Sequence, residues 1–285
     1  MRLILLFVLC AAGAAAESPF AWKDVDNRSL QLTEHGRPVL TYNYGLMEPK
    51  GVPKDRHRCC YVHPVYTPGN IAVTDDFPKD HYHHRGIFWA WPVVKVDGKE
   101  YDAWLLDGIR QIASRFIAQE ATEDFARLGV ENSWYTKNGH VMRETVEITV
   151  PRRPDGDRRD ILFTLRFEAL GRPVELRGEP TQNKGYGGFS VRFAPRENTE
   201  ITTELGREQD ANMDRRQWAA LEGDFQGGRA GLRVEVSPRN PGFPNGWCLR
   251  HYGFLGVNFP GLESYVLKPG EPLTLRYRVQ VYDVR

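Results

Sequence analysis

The chain has 285 residues, 41% of them hydrophobic, and its 38 Lys and Arg nearly balance 37 Asp and Glu, for a formal net charge of +1. That balance excludes a partner held by bulk charge, such as nucleic acid or an anionic membrane, and suits a neutral or weakly charged small ligand. The length is enough to bury one large core or two smaller ones.

At the N-terminus, Arg2 is followed by an apolar run over residues 3–9 and by small residues ending Ala14-Ala15-Ala16. This is the pattern of a secretory signal peptide, residues 1–16, cleaved after Ala16. The run is too short to span a bilayer, which takes about 20 residues. The mature chain, starting at Glu17, is therefore expected to be secreted or periplasmic, with no membrane partner. Lipidation at Cys10 is the alternative, but Phe7-Val8-Leu9 lacks the small residue expected beside a lipidated Cys. Three cysteines remain after cleavage, Cys59, Cys60 and Cys248. Two readings stay open: a disulfide from Cys59 or Cys60 to Cys248 with one free thiol, or three reduced thiols used as small apolar residues.

From there on, short alternating segments are broken about every ten residues by Gly, Pro, Asn and Asp, with almost nothing at helical period. Strands are predicted over residues 29–32, 39–44, 71–73, 86–91, 109–120, 125–135, 141–150, 161–168, 174–177, 187–193, 200–204, 217–222, 231–236, 247–251 and 273–284. Asp97-Gly98 and Asn138-Gly139 each sit between apolar segments and predict hairpins, because these pairs tolerate positive φ. Residues 151–157 are polar but short, a surface loop rather than a linker. The expectation is a single all-β domain over residues 17–285, a large antiparallel β-sandwich of two packed sheets, since one open sheet of that size would curl or split.

Chemistry-bearing residues concentrate in three places. The first is Asp80-His81-Tyr82-His83-His84-Arg85-Gly86, continuing to Trp89 and Trp91. If extended, residues 80–84 place His81 and His83 on one face, with Tyr82 and His84 on the other. Two imidazoles on one face could divide acid and base work, or share a metal completed by His251, His63, Asp76 or Glu144. Gly86 would turn Arg85 towards a cleft or only let the strand pack closely. Trp89 and Trp91 would form a sugar-stacking platform or sandwich core. In the second place, Lys184-Gly185-Tyr186-Gly187-Gly188 leads to Arg192. It is a glycine-rich loop without the ending of a phosphate loop, where Tyr186 could stack on a ligand and Lys184 and Arg192 donate to it. The third holds Asn240, Trp247, Arg250 and His251, and His251 is the expected partner of the first cluster. If extended, Arg250 and Tyr252 share one face and His251 takes the other.

These segments, with Pro64-Val65-Tyr66-Thr67-Pro68-Gly69, Arg250-His251-Tyr252-Gly253 and Leu275-Arg276-Tyr277-Arg278-Val279, resemble the landmarks of a family of secreted bacterial proteins of unknown function labelled PmoA-type. The resemblance covers most of the mature chain. The label implies a methane monooxygenase subunit, an integral membrane protein, whereas this chain has no apolar run of 18 or more residues after residue 16. What the resemblance implies instead is a supersandwich similar to galactose mutarotases, and an export profile common among bacteria that degrade polysaccharides.

The expected function is a carbohydrate-active enzyme of mutarotase, epimerase, lyase or hydrolase type, with a small-molecule carbohydrate as partner. His81, His83, His84, Arg85 and His251 are the expected catalytic residues. Asp80, Trp89, Lys184, Tyr186, Arg192, Asn240, Trp247 and Arg250 are expected to bind the ligand. A non-catalytic carbohydrate-binding protein and a secreted His-ligated metalloprotein are the alternatives; three imidazoles within four residues serve proton transfer better than a lectin surface. The sequence specifies no cofactor.

Overall fold

A computed structural model describes residues 18–153 and 156–284. The predicted signal peptide and Cys10 lie outside the described residues. Among these are 22 strands and two single-turn 3-10 helices. One antiparallel nine-stranded sheet runs in spatial order Phe20–Val25, Ser29–Glu34, Arg37–Asn43, Tyr61–Val65, Ile87–Ala90, Gly188–Arg192, Phe254–Asn258, Gly246–Arg250 and Ala211–Arg215. The other runs Gly206–Arg207, Arg196–Thr203, Trp218–Phe225, Gly228–Val236, Leu273–Asp283, Arg158–Ala169, Gly139–Pro151, Phe125–Thr136 and Ile109–Ala121. A four-stranded sheet, Tyr265–Leu267, Val174–Arg177, Val93–Val96 and Lys99–Tyr101, completes the fold.

The expected all-β antiparallel sandwich is what forms. Alternation along the long strands sets its inner face: Ile161, Phe163, Leu165 and Phe167 are buried at period two. They meet rings from the opposite sheet, with Phe163 at 5.2 Å from Phe189 and Phe167 at 5.1 Å from Trp91. Both predicted hairpins are present, and at the first one Asp97 and Gly98 have φ of 50° and 75°. Residues 71–73 are no strand but make isolated bridges, as between Tyr66 and Ala72. Tyr61–Val65 went unpredicted because Pro64 interrupts it, and Phe254–Asn258 because it is buried on both faces and does not alternate.

Trp89 and Trp91 belong to this core, not to a sugar platform. Both are buried; the Trp91 indole donates to Phe259 O at 2.6 Å. The Trp89 indole and Asn132 Nδ2 donate to Glu144 Oε1 at 2.7 and 2.9 Å, while the Trp134 indole and Gln111 Nε2 donate to Oε2 at 2.6 and 2.8 Å. Glu144 is thus a fully buried carboxylate with four donors. Its counter-charge, Arg58, reaches it through Gln111, donating to Gln111 Oε1 at 2.8 Å. Trp247 is likewise core, its indole donating to Arg216 O at 2.8 Å. Asn240 is a buried turn residue that closes two hydrogen bonds with the Arg276 backbone. Neither Trp247 nor Asn240 can reach a ligand. All three described cysteines are free and buried. Cys59 and Cys60 lie side by side with sulfurs 3.4 Å apart, so the disulfide to Cys248 is not formed.

Candidate functional site

Residues 78–84 are a turn, not a strand, which overturns the expected split of the histidines between two faces. His81 N–H donates to Pro78 O at 3.0 Å and His84 N–H donates to His81 O at 2.8 Å. A tight turn brings side chains close in sequence to one side. The His81 and His84 rings stack in parallel at 4.6 Å, and His83 meets both edgewise at 5.5 and 4.6 Å. The Tyr252 ring lies beside this pair, nearly parallel to both, at 5.2 Å from His81 and 6.5 Å from His84, and Phe254 stacks on His84 at 4.9 Å.

Arg85 does not face the cleft as expected; it holds the turn from beneath. Its side chain is fully buried, with the guanidinium 3.6 Å over the Phe77 ring and 3.8 Å from the Asp76 carboxylate. Nη1 donates to Tyr82 O and His84 O, both at 2.6 Å, and Nη2 donates to Arg56 O. Arg85 therefore fixes the backbone that aims the imidazoles. Gly86 serves the same packing: a Cβ there would collide with Val62 O and lie 2.8 Å from His63 Cβ. Gly86→Ala is expected to cost ~2–3 kcal/mol, as overpacking against backbone does. A melting temperature equal to wild type would refute this role.

Opposite the histidines, the loop before Gly188–Arg192 contributes Lys184 and Tyr186. Gly185, at φ 62°, is required there because a side chain would strike Met213 Sδ. The end of Gly246–Arg250 contributes Arg250 and Tyr252. Together with the three histidines, Trp104, Cys248 and Phe254, they enclose a cavity of about 340 Å³. That lies at the lower end of the range for ligand sites and has room for a sugar ring. As alternation implied, Arg250 and Tyr252 face one way and His251 the other. His251 is therefore not the partner of the cluster; its Nδ1 lies 2.7 Å from Asp210 Oδ1, at a separate depression with Glu200 and Glu208. Trp104 carried no signal in the sequence, since it sits in a turn between short strands and reaches the cavity only through tertiary packing.

Asp80 organises the charge. Its carboxylate lies 2.9 Å from His81 Nδ1 and accepts from Arg192 Nη2 at 2.9 and 2.8 Å. Burial pushes its pKa up, but the hydrogen bonds from His81 and Arg192 outweigh this and hold it below the usual carboxylate range. Arg192 lies 5.0 Å over the Tyr252 ring and lines no part of the cavity wall; it positions Asp80 and does not touch a ligand. With Nδ1–H pointed at Asp80, His81 turns Nε2 outward as the atom that can give or take a proton. Burial, with His81 next, lowers the His83 pKa to about 3. Burial and His83 drive that of His84 well down. Both rings are neutral at pH 7 and suited to hydrogen-bonding hydroxyls. Burial also raises the Cys248 thiol to about 11 and the Tyr252 hydroxyl to about 12, so neither ionises at neutral pH.

Among the described residues, no three His, Cys, Asp or Glu side chains are grouped to hold a metal. The side chains expected to complete such a site are engaged elsewhere: His63 with Thr74 at 3.0 Å, Asp76 with the Tyr61 hydroxyl at 2.6 Å, and Glu144 with its four donors. Two larger depressions, of about 500 and 570 Å³, lie around Arg158. Among the described residues that line them, the only imidazole is His35. Most of their arginines are paired with acids, as Arg159 with Glu34 at 3.0 Å and Arg158 with Asp157 at 3.2 Å. We place the candidate site in the smaller, histidine-lined cavity.

Fold and site thus define a large antiparallel β-sandwich with a histidine-lined cavity at one sheet. The chain belongs to DUF6807, a family of unknown function, whose profile matches residues 29–285. No curated protein matches it. Solved structures similar in overall shape include the Slr1438 protein of Synechocystis sp. PCC 6803, at 13% identity over 100% of both chains, with a TM-score of 0.44. A galactose mutarotase-like protein of Lactobacillus casei ATCC 334 shares 9% identity over 92% of this chain and 100% of its own, with a TM-score of 0.41. Another, from Clostridium acetobutylicum, shares 7% identity over 94% and 99%, with a TM-score of 0.43.

Proposed function

We propose that this protein is an exported carbohydrate-active enzyme that moves a proton on a sugar or glycoside, as a mutarotase, epimerase, lyase or hydrolase does. The observation that carries the reading is the Asp80–His81 pair opening, beside two neutral imidazoles, onto a cavity walled by Trp104, Tyr186 and Tyr252. His81 serves as general acid or base through Nε2, and Asp80 fixes its tautomer. His83 and His84 hold hydroxyls, and the aromatic rings offer apolar faces to the ring of the sugar. Export rests on the signal-peptide pattern of residues 1–16.

A screen of sugars and glycosides for turnover, repeated on the double variant H81A/H83A, tests the assignment. Turnover is expected to fall by about 10²–10⁴-fold with the fold retained, because His81 is about one-third exposed. Unchanged turnover of a substrate found in the screen would sink it. The second reading is a non-catalytic sugar-binding site, favoured by the neutral state of His83 and His84, which makes both weak bases. On that reading no sugar is turned over, and the double variant weakens binding alone.

A further inference from the structure

We infer that the sugar taken by this cavity carries an anionic substituent, a carboxylate or a sulfate ester, placed between Lys184 and Arg250. The inference rests on the carbohydrate reading and names its substrate class. Both cations line the cavity wall, and among the described residues neither has a carboxylate within ion-pair distance. Several arginines elsewhere do: Arg216 lies 2.6 Å from Glu208, Arg159 3.0 Å from Glu34 and Arg278 3.0 Å from Asp160.

Arg250 is moreover held in place by neutral acceptors only. Its Nη1 donates to Ala211 O at 2.7 Å and Leu249 O at 2.8 Å, and its Nη2 donates to Asn212 Oδ1. The guanidinium is fixed at the wall with no carboxylate hydrogen-bonded to it, Asp210 acting on it only from a distance, and this ordering in advance spares a ligand the entropy of doing so. The nearby acids are committed: Asp210 to His251, and Asp80 to His81 and Arg192. Among the described residues, no carboxylate lines the cavity. Its positive excess is local, because the whole chain carries a formal charge of only +1. This revises the neutral or weakly charged ligand expected from overall charge: a balanced total says nothing of how charge is distributed in one cleft. An anion bound here would meet Lys184 and Arg250 in a partly dehydrated space, where charge-assisted hydrogen bonds are strongest.

Isothermal titration at low ionic strength, on the full chain, compares a panel of neutral hexoses with their uronates and 6-sulfates, such as galactose, galacturonate and galactose 6-sulfate. At least one anionic form is expected to bind about tenfold or more tightly than its neutral counterpart, with the advantage reduced by added salt. The carboxylate and sulfate arms distinguish the two sources. Lys184→Met is expected to lower the anionic-to-neutral ratio by about tenfold. Arg250→Lys, which keeps the charge but loses the fixed fork, gives a second readout should either variant fold poorly. Neutral sugars binding as tightly as their anionic partners would overturn the inference and leave the carbohydrate reading standing. Binding of no sugar in the panel would overturn both.

Discussion

Glu144→Ala is expected to destabilise the fold by on the order of 5 kcal/mol, against a total of ~5–15 kcal/mol for an ordinary domain. The substitution leaves two indole N–H groups and two amide N–H groups, from Trp89, Trp134, Asn132 and Gln111, pointing into a dry cavity between the sheets. Each unsatisfied buried donor costs ~1–3 kcal/mol, and the emptied volume adds to this. Glu144→Gln separates geometry from charge. It keeps the shape but replaces one acceptor oxygen by a donor, so two of the four donors face an N–H; a loss of ~2–4 kcal/mol is expected. Urea midpoints measure both variants. A Gln variant as stable as wild type would show that the second acceptor oxygen is not needed.

The second large effect is acid lability. Burial, with Arg85 next, lowers His63 to about 4, burial lowers His83 to about 3, and burial drives His84 well below its ordinary value. For a group whose folded pKa is depressed, the stabilising contribution is fully present above the unfolded value near 6.5 and is lost as pH falls towards the folded one. At ~1.4 kcal/mol per pH unit for each group, His63 and His83 withdraw on the order of 4 kcal/mol between pH 6.5 and 5, and His84 acts in the same direction. Asp76 works the other way: burial raises it to about 7, so its contribution is present at low pH and is lost as pH rises through 7. Over the same interval it returns ~2 kcal/mol. Wild type is therefore expected to lose at least ~2 kcal/mol between pH 6.5 and 5, and Asp76→Asn about 2 kcal/mol more than wild type. Urea titrations at these two pH values check the difference. Stability that is flat across the interval would mean that the histidines are not buried neutral.

This acid response and the proposed chemistry come from the same packing. Arg85, the Phe77 ring and Asp76 form a buried layer under the histidine turn that aims the imidazoles, while burial of His83 and His84 in the same packing lowers their pKa values. The design suits a site that holds a sugar through neutral imidazoles and keeps a single proton-moving atom, His81 Nε2, at the opening.

Much of this was legible in the residues. Period-two alternation marked the long strands, and the Asp97-Gly98 and Asn138-Gly139 turns marked antiparallel pairing. Arg250 and Tyr252 were expected on one face, and both line the cavity. Glu144 also carried a signal that went unread, since it falls on the inward phase with Val146 and Ile148, where a lone carboxylate must find buried donors. Other residues misled. Arg85, Trp89, Asn240, Trp247 and His251 have the chemistry of a site, but side-chain chemistry is the same whether a ligand or the protein's own backbone uses it.

By itself, then, the sequence determined the β architecture and the cluster around Asp80, because strand periodicity and turn chemistry are local properties. Only the tertiary structure decided that residues 78–84 turn rather than extend. It also decided that Lys184, Tyr186, Arg250 and Trp104 face the histidines while His251 does not. The physical reason is that such placements depend on packing between segments 20 to 170 residues apart. There, Arg85 beneath the turn and the close approach at Gly86 outweigh the local preference of the chain.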